Sequence, residues 1–334
     1  MILIDGSFGE GGGQILRVAV GLAALAKKPI EIINIRMKRD PPGLRPQHLT
    51  AVKAVASLVN ARVEGLEVGS TKIKFIPGDI SSGNFTFDVG TAGSVSLVLQ
   101  ALLPVLAFTK APINVTLKGG TAVPWSPPIT YIEKVLLPLL SRMGLKAEIR
   151  IIRHGFYPKG GGIVNITVYP VSQLKPIELI EQGNIKQIKG ISLSARLPSH
   201  IAERQARSAE KILREYLGNI NININIIHSG PEVDNVLSPG TFIVLLAETD
   251  KNVIIGSDAL GEKGKPAEKV GEEAALKLIN EIKSNATVDV HMSDQLIPWM
   301  ALANGTSKIK VSSFSLHAYT CIYITKQILG GEFK

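Results

Sequence analysis

The chain has 334 residues, 45% of them apolar and 19% charged, which is too apolar for disorder and rich enough for a large core in two or so domains. Its 37 Lys and Arg outnumber its 28 Asp and Glu, and the formal charge of +9 points to an anionic partner such as nucleic acid or nucleotide. A single cysteine excludes an internal disulfide and a cysteine zinc site and fits a reducing compartment, while 5% aromatic residues argue against broad base-stacking surfaces.

In chain order the pattern is α/β. A short apolar strand at Ile2–Asp5 runs into a glycine cluster and then a helix of period 3.6 from Ile15 to Leu25. A strand at Ile30–Ile35, a basic loop, a helix from Pro46 to Val59 and strands near Ala61–Val68 and Thr71–Ile76 follow. The same order then returns. Strands are expected at Phe85–Val89 and Ile113–Leu117, with a helix between them over Gly93–Phe108. A helix at Ile129–Met143, closed by Gly144, precedes strands at Lys146–Ile152 and Ile163–Tyr169.

This reads as βαβαββ twice, with a period of about 80 residues. A third copy starts late: strand Val288–His291, helix Ser293–Ala303, strand Ile309–Ser312 and helix Leu316–Leu329. The gap before it is longer than one period. The expected organisation is therefore a large repeat domain from residues 1–178 and 280–334, with a small α/β domain inserted at 179–279. Within the insertion, strands are expected at Ile191–Arg196, Ile220–Ile227 and Phe242–Glu248, and helices at Ile201–Tyr216 and Pro266–Ile282.

The N-terminus has no basic region or cleavage motif. The longest apolar run, Val95–Phe108, is interrupted and falls short of the ~20 residues needed to span a bilayer. A cytoplasmic protein without a membrane partner is expected. Gly78–Gly83 and Gly256–Gly261 have the glycine spacing of a phosphate-binding G-x-x-x-x-G-K-[ST] loop but lack its Lys-Ser/Thr. No G-x-S-x-G elbow exists, and the six histidines never adopt an H-E-x-x-H spacing.

Four features carry candidate chemistry. The first is the run Gly9–Arg17 (GEGGGQILR), between a strand and a helix, where backbone amides suit a phosphate. Glu10 in such a turn would repel phosphate unless a cation such as Mg²⁺ lay between them. Gln14 and Arg17 share one helix face beside it. The second is the proline-stiffened loop holding Arg36, Lys38, Arg39 and Arg45, where Pro46 at the first helical position puts Gln47 and His48 in the first turn. The third is the glycine-rich hairpin His154–Gly162. The fourth is His317, which opens a helix with Thr320 one turn on. A neutral imidazole can attack phosphorus, a helix N-terminus disfavours its cation, and Thr320 is placed to bond a phosphate oxygen.

These runs, together with RPQHLTA at 45–51, DVGTAGS at 88–94, HGFYPKGGG at 154–162, Asp294-Gln295 and HAYT at 317–320, resemble the RNA 3′-terminal phosphate cyclase family nearly end to end. The resemblance implies three βαβαββ units with an inserted small domain. It also implies an ATP- and Mg²⁺- or Mn²⁺-dependent conversion of an RNA 3′-phosphate to a 2′,3′-cyclic phosphate. His317 would attack the α-phosphorus and carry AMP, and Glu10 would hold the metal. Gln100, Pro127, Asp294 and Gln295 match adenosine-pocket positions, and His291 stands where some members have a tyrosine. Arg17, Arg36, Arg39, Gln47 and His48 match positions expected to hold phosphates of RNA or ATP, and Gln14 joins them by its place on the helix.

Two rivals bear on this reading. A non-catalytic cyclase-like protein of ribosome assembly would lack the nucleophilic histidine. An enolpyruvyl transferase needs six such units, more than this length allows. Monomer and homodimer both remain open from sequence.

Overall fold

The computed structural model describes residues 1–334. The first unit contains β1 (Ile2–Asp5), α1 (Gly13–Ala26), β2 (Ile30–Ile33), α2 (Pro46–Leu58), β3 (Arg62–Glu64) and β4 (Ile73–Ile76). The second contains β5 (Asn84–Asp88), α3 (Val95–Ala107), β6 (Ile113–Gly119), α4 (Ile129–Tyr131), a π-helical turn (Ile132–Leu136), α5 (Leu137–Arg142), β7 (Lys146–Arg153) and β8 (Gly162–Tyr169).

The two sheets have the same plan. Their orders are β1-β2-β4-β3 and β5-β6-β8-β7. In each, the first two strands run parallel across a helical crossover and the other pairings are antiparallel. The repeat expected from sequence is thus present in topology as well as in element order. The strands are shorter than expected where left-handed residues stop them: Asn34 ends β2, and Gly65 and Gly69 lie between β3 and β4.

The helix expected at Ile129–Met143 is continuous but widened over Ile132–Leu136. Pro138 has no amide hydrogen to give the Lys134 carbonyl, and a wider turn accommodates that loss.

The third unit departs most from expectation. Its first strand shrinks to one parallel bridge, Val288 to Val311, because the Asp289 side chain already accepts from the His291 and Met292 amides and starts a helix at Val290. The single helix expected at Ser293–Ala303 is two, described below, because Pro298 cannot donate to the Asp294 carbonyl. The strand expected at Ile309–Ser312 is Lys308–Ile309, and it pairs in parallel with a two-residue strand that precedes the insertion.

Those earlier elements are β9 (Glu178–Leu179), β10 (Ile185–Ala195), α6 (His200–Leu217), β11 (Asn221–Ile227), α7 (Pro231–Asp234), β12 (Gly240–Thr249), β13 (Ile254–Leu260) and α8 (Ala267–Lys283). The chain ends in α9 (Val290–Gln295), α10 (Ile297–Leu302), β14 (Lys308–Ile309) and α11 (Leu316–Leu329). β10 to β13 form a separate sheet in the order β11-β10-β12-β13. Strand β13 has no counterpart in the sequence expectations; its glycine, serine and aspartate mask the apolar pattern.

One continuous apolar core runs from Ile4 to Ile328 and takes in Leu193 and Phe242 of the inserted sheet. The sheet of β10 to β13 shares this core with the rest of the molecule. No helix is long and apolar enough to cross a membrane.

Candidate active site

The site begins at the turn between β1 and α1. The Asp5 carboxylate closes it by accepting from the Ser7 amide at 2.9 Å and from the Asn34 side chain at 3.2 Å. Gly9 sits at φ 57°, in the left-handed region. A Cβ there would lie 2.3 Å from Thr320 Oγ1, so only glycine lets α11 lie against the turn. That close approach delivers Glu10 to the start of α11, where its Oε2 is 3.1 Å from His317 Nε2. The exposed Arg39 guanidinium reaches the same carboxylate oxygen at 3.2 Å, and Lys38 donates to the Gly9 carbonyl.

His317 is the second residue of α11, whose N-cap Ser315 accepts from the Ala318 amide at 3.1 Å. Its Nδ1 lies 3.0 Å from Gln14 Oε1. The Gln14 side-chain amide in turn donates to the Asp294 carboxylate. An amide oxygen only accepts, so Nδ1 carries a hydrogen, and in the neutral ring the lone pair falls on Nε2. Asp294 is held in place by this chain, and burial pushes its carboxyl pKa up against the opposing pull of His317, His291 and Arg17. The row Asp294–Gln14–His317–Glu10 joins the third unit to the first.

Arg17, one helical turn after Gln14, is buried and donates from Nε to Gln100 Oε1 at 2.8 Å. Burial lowers its pKa to about 10, opposed by Asp294, and leaves it a cation at neutral pH. Gln14, Arg17, Gln100 and His317 line one cavity of about 130 Å³. Pro127, His291, Asp294 and Gln295 complete most of its wall. The sequence had nominated all eight. His291 faces the inserted sheet, with Nε2 3.6 Å from Asp258 Oδ1 and its ring edge-on to Tyr131. The buried Ser96 hydroxyl lines the same cavity and has no hydrogen-bond partner.

Arg36, Gln47, His48 and Thr320 do not line this cavity. The Arg36 guanidinium donates to the carbonyls of Pro41 and Gly43, so it braces its own loop. Gln47 Oε1 accepts from the Ser94 amide at 3.1 Å and ties α2 to the N-cap of α3. His48 is buried with Nδ1 accepting from the Arg45 amide. Burial first, then the charges of Arg17, Arg36 and Arg45, lower its pKa to about 3, so the ring is neutral and Nε2 is a donor. The phosphate contact expected of Thr320 is replaced by packing: the residue is buried under Gly9 and its hydroxyl donates to the Leu316 carbonyl.

Sequence reasoning passed over Asp289. It is buried and caps α9, and it also accepts from the Tyr131 hydroxyl and, at 2.8 Å, from the Gly256 amide. One carboxylate thereby pins the second unit, the inserted sheet and the third unit together. No local motif announces it, because its partners come from distant segments. Ser96 and Trp125, both on the cavity wall, also carried no signal.

The family model for RNA 3′-terminal phosphate cyclase matches residues 8–334. A protein of Hyperthermus butylicus named RNA 3′-terminal phosphate cyclase is 52% identical over 332 residues, covering 99% of this chain and 92% of its own length. Proteins of the same name from Ignicoccus hospitalis and Pyrococcus furiosus are 48% identical over 98% of the chain and 47% identical over 100% of it, covering 93% and 95% of their own lengths. The match extends over nearly the whole molecule. The chain belongs to the RNA 3′-terminal phosphate cyclase family.

Proposed function

We propose that this protein is an ATP-dependent RNA 3′-terminal phosphate cyclase, with residues 1–178 and 280–334 as its catalytic repeat domain and residues 179–279 as an inserted domain. The observation that carries the proposal is the His317 imidazole, held at Nδ1 by Gln14 on the wall of a cavity lined largely by polar side chains.

The chemistry follows from that tautomer. Glu10 Oε2, 3.1 Å from Nε2, takes the proton of the imidazolium form and leaves the Nε2 lone pair available. Nε2 attacks the α-phosphorus of ATP; the N–P bond forms, the P–O bond to the β-phosphate breaks, and pyrophosphate leaves with that electron pair. An oxygen of the RNA 3′-phosphate then attacks the AMP phosphorus and the N–P bond breaks. The neighbouring 2′-OH attacks the activated terminal phosphorus, loses its proton, and expels AMP. DNA ends lack that hydroxyl and are not cyclised.

Arg17 and Arg39 supply positive charge to the phosphates, and the Glu10 turn supplies amides. Gln100, Asp294 and Gln295 offer polar groups to the adenine, with the free Ser96 hydroxyl beside them. Glu10 is a lone carboxylate, with no group of three His, Cys, Asp or Glu around it. That donor set fits a hard cation shared with substrate phosphates rather than one caged by protein. Mg²⁺ or Mn²⁺ held there would neutralise charge during transfer. A cytoplasmic location accords with RNA and ATP as partners.

The test uses an oligoribonucleotide with a 3′-phosphate, ATP and Mg²⁺. The expected product has a terminal phosphate resistant to phosphatase. An end that stays phosphatase-sensitive contradicts the proposal.

A further inference from the structure

Trp125 stands apart from every other large apolar residue in the molecule. It is 98% exposed, whereas the only other tryptophan, Trp299, is 3% exposed. Its backbone is left-handed, at φ 62°, a conformation rare for a bulky side chain. The turn that holds it is stiff: Pro124 precedes it, Pro127 and Pro128 follow, and the Ser126 hydroxyl donates to the Val123 carbonyl at 3.2 Å. An indole presented outward on a rigid turn has gained nothing from folding, which marks it as a surface for a ligand.

Its position says which ligand. Trp125 lies on the rim of the cavity that holds His317, while its neighbour Pro124 lines a second cleft of about 790 Å³. That cleft runs between the His154–Gly162 hairpin and the inserted sheet. Tyr157, His200 and Lys263 are on its wall, an aromatic ring and cationic or protonatable groups of the kind that track a nucleic-acid backbone. The polar groups suited to an adenine edge, Gln100, Asp294 and Gln295, are half-buried or buried in the small cavity, whereas Trp125 is exposed at its mouth and follows directly on a residue of the cleft wall.

We propose that Trp125 is the stacking platform for the base of the 3′-terminal nucleotide of the RNA, which it holds so that the terminal phosphate reaches His317. The inference rests on the cyclase reading. Stacking on an indole is tolerant of base identity, since every base has a π-face, and this suits an enzyme that acts on ends of differing sequence.

The protein reports on its own occupancy, because Trp125 is its one exposed indole. A 3′-phosphorylated pentaribonucleotide, titrated without ATP, is expected to quench the tryptophan emission saturably, and one with an abasic terminal nucleotide is not. AMP alone is expected to leave the emission unchanged. In cyclisation kinetics Trp125→Ala is expected to raise the KM for RNA about tenfold or more, with a much smaller shift in the KM for ATP, and Trp125→Phe to restore most of it. Quenching by AMP alone would assign the platform to adenine and overturn the proposal. So would an RNA KM that does not change in Trp125→Ala. The titration needs no turnover, so a saturable quench in a protein that forms no cyclic product would sink the cyclase reading and leave the platform standing.

Discussion

Gln14 Oε1 lies 3.0 Å from His317 Nδ1, and the same amide donates its Nε2 hydrogens to Asp294. The glutamine therefore fixes both the tautomer and the orientation of the imidazole. Gln14→Ala is expected to slow adenylylation on the order of 10²-fold by releasing the ring, with little change in the unfolding midpoint. Gln14→Glu is expected to move the acidic limb of the pH–rate profile to higher pH, because a carboxylate at Nδ1 favours the imidazolium. An unaltered profile in Gln14→Glu would contradict the tautomer argument.

Gly9 and Thr320 are matched by contact. Gly9→Ala places a Cβ 2.3 Å from Thr320 Oγ1 at a left-handed φ and is expected to cost roughly 1–2 kcal/mol from the backbone alone, plus the clash. Thr320→Ala in the Gly9→Ala background is expected to recover the clash but not the backbone cost. A double-mutant cycle in urea measures the coupling, and strict additivity would show that the two residues do not meet.

Two buried histidines make stability depend on pH. Burial lowers His48 to about 3 and His154 to about 4, from an ordinary value near 6.5. In the unfolded chain both take up protons below about 6.5, while the folded protein keeps them neutral until far lower pH. Their contribution is complete above pH 6.5 and is lost progressively as pH falls toward 4 and then 3. Urea midpoints are expected to drop over that window, and less steeply in His154→Gln. An equal slope in the variant would remove His154 as a cause.

Asp289 holds three segments through Tyr131, Gly256 and the start of α9. Asp289→Ala leaves a buried hydroxyl and a buried amide unpaired, at a cost of about 1–3 kcal/mol for each group. Denaturation should show a loss of that order, and Tyr131→Phe in the same background should lessen it. A wild-type midpoint in Asp289→Ala would rule out this carboxylate as a joint.

The repeat was legible because its information is local. Apolar period and glycine turns recur in order, and the structure repeats them down to strand order. The third unit was less legible, since Asp289 caps a helix where β-branched Val288 and Val290 suggested a strand, and Pro298 breaks a helix that its apolar neighbours suggested was whole. Of the eight cavity residues, Gln14, Arg17 and His317 were legible from their places at helix starts, while Gln100, Pro127, His291, Asp294 and Gln295 were found by resemblance, since their spacing alone is unremarkable. Thr320, Arg36 and Gln47 show what a sequence pattern leaves out: it names a residue but not which of its polar atoms also bond the protein, here the Thr320 hydroxyl, one Arg36 nitrogen and the Gln47 side-chain oxygen. Trp125 and Ser96 carried no signal because exposure and an unpaired hydroxyl exist only once the chain is folded.

The central claim is that Nε2 of His317 becomes covalently bound to AMP. Its most direct measurement is incubation of the protein with α-labelled ATP and Mg²⁺ in the absence of RNA, followed by denaturing separation and peptide mass analysis. The expected result is an acid-labile, alkali-stable label on the peptide carrying His317, absent from His317→Ala and passed to a 3′-phosphorylated RNA when that is added. Label that persists in His317→Ala, or a wild-type protein that takes up none, would contradict it.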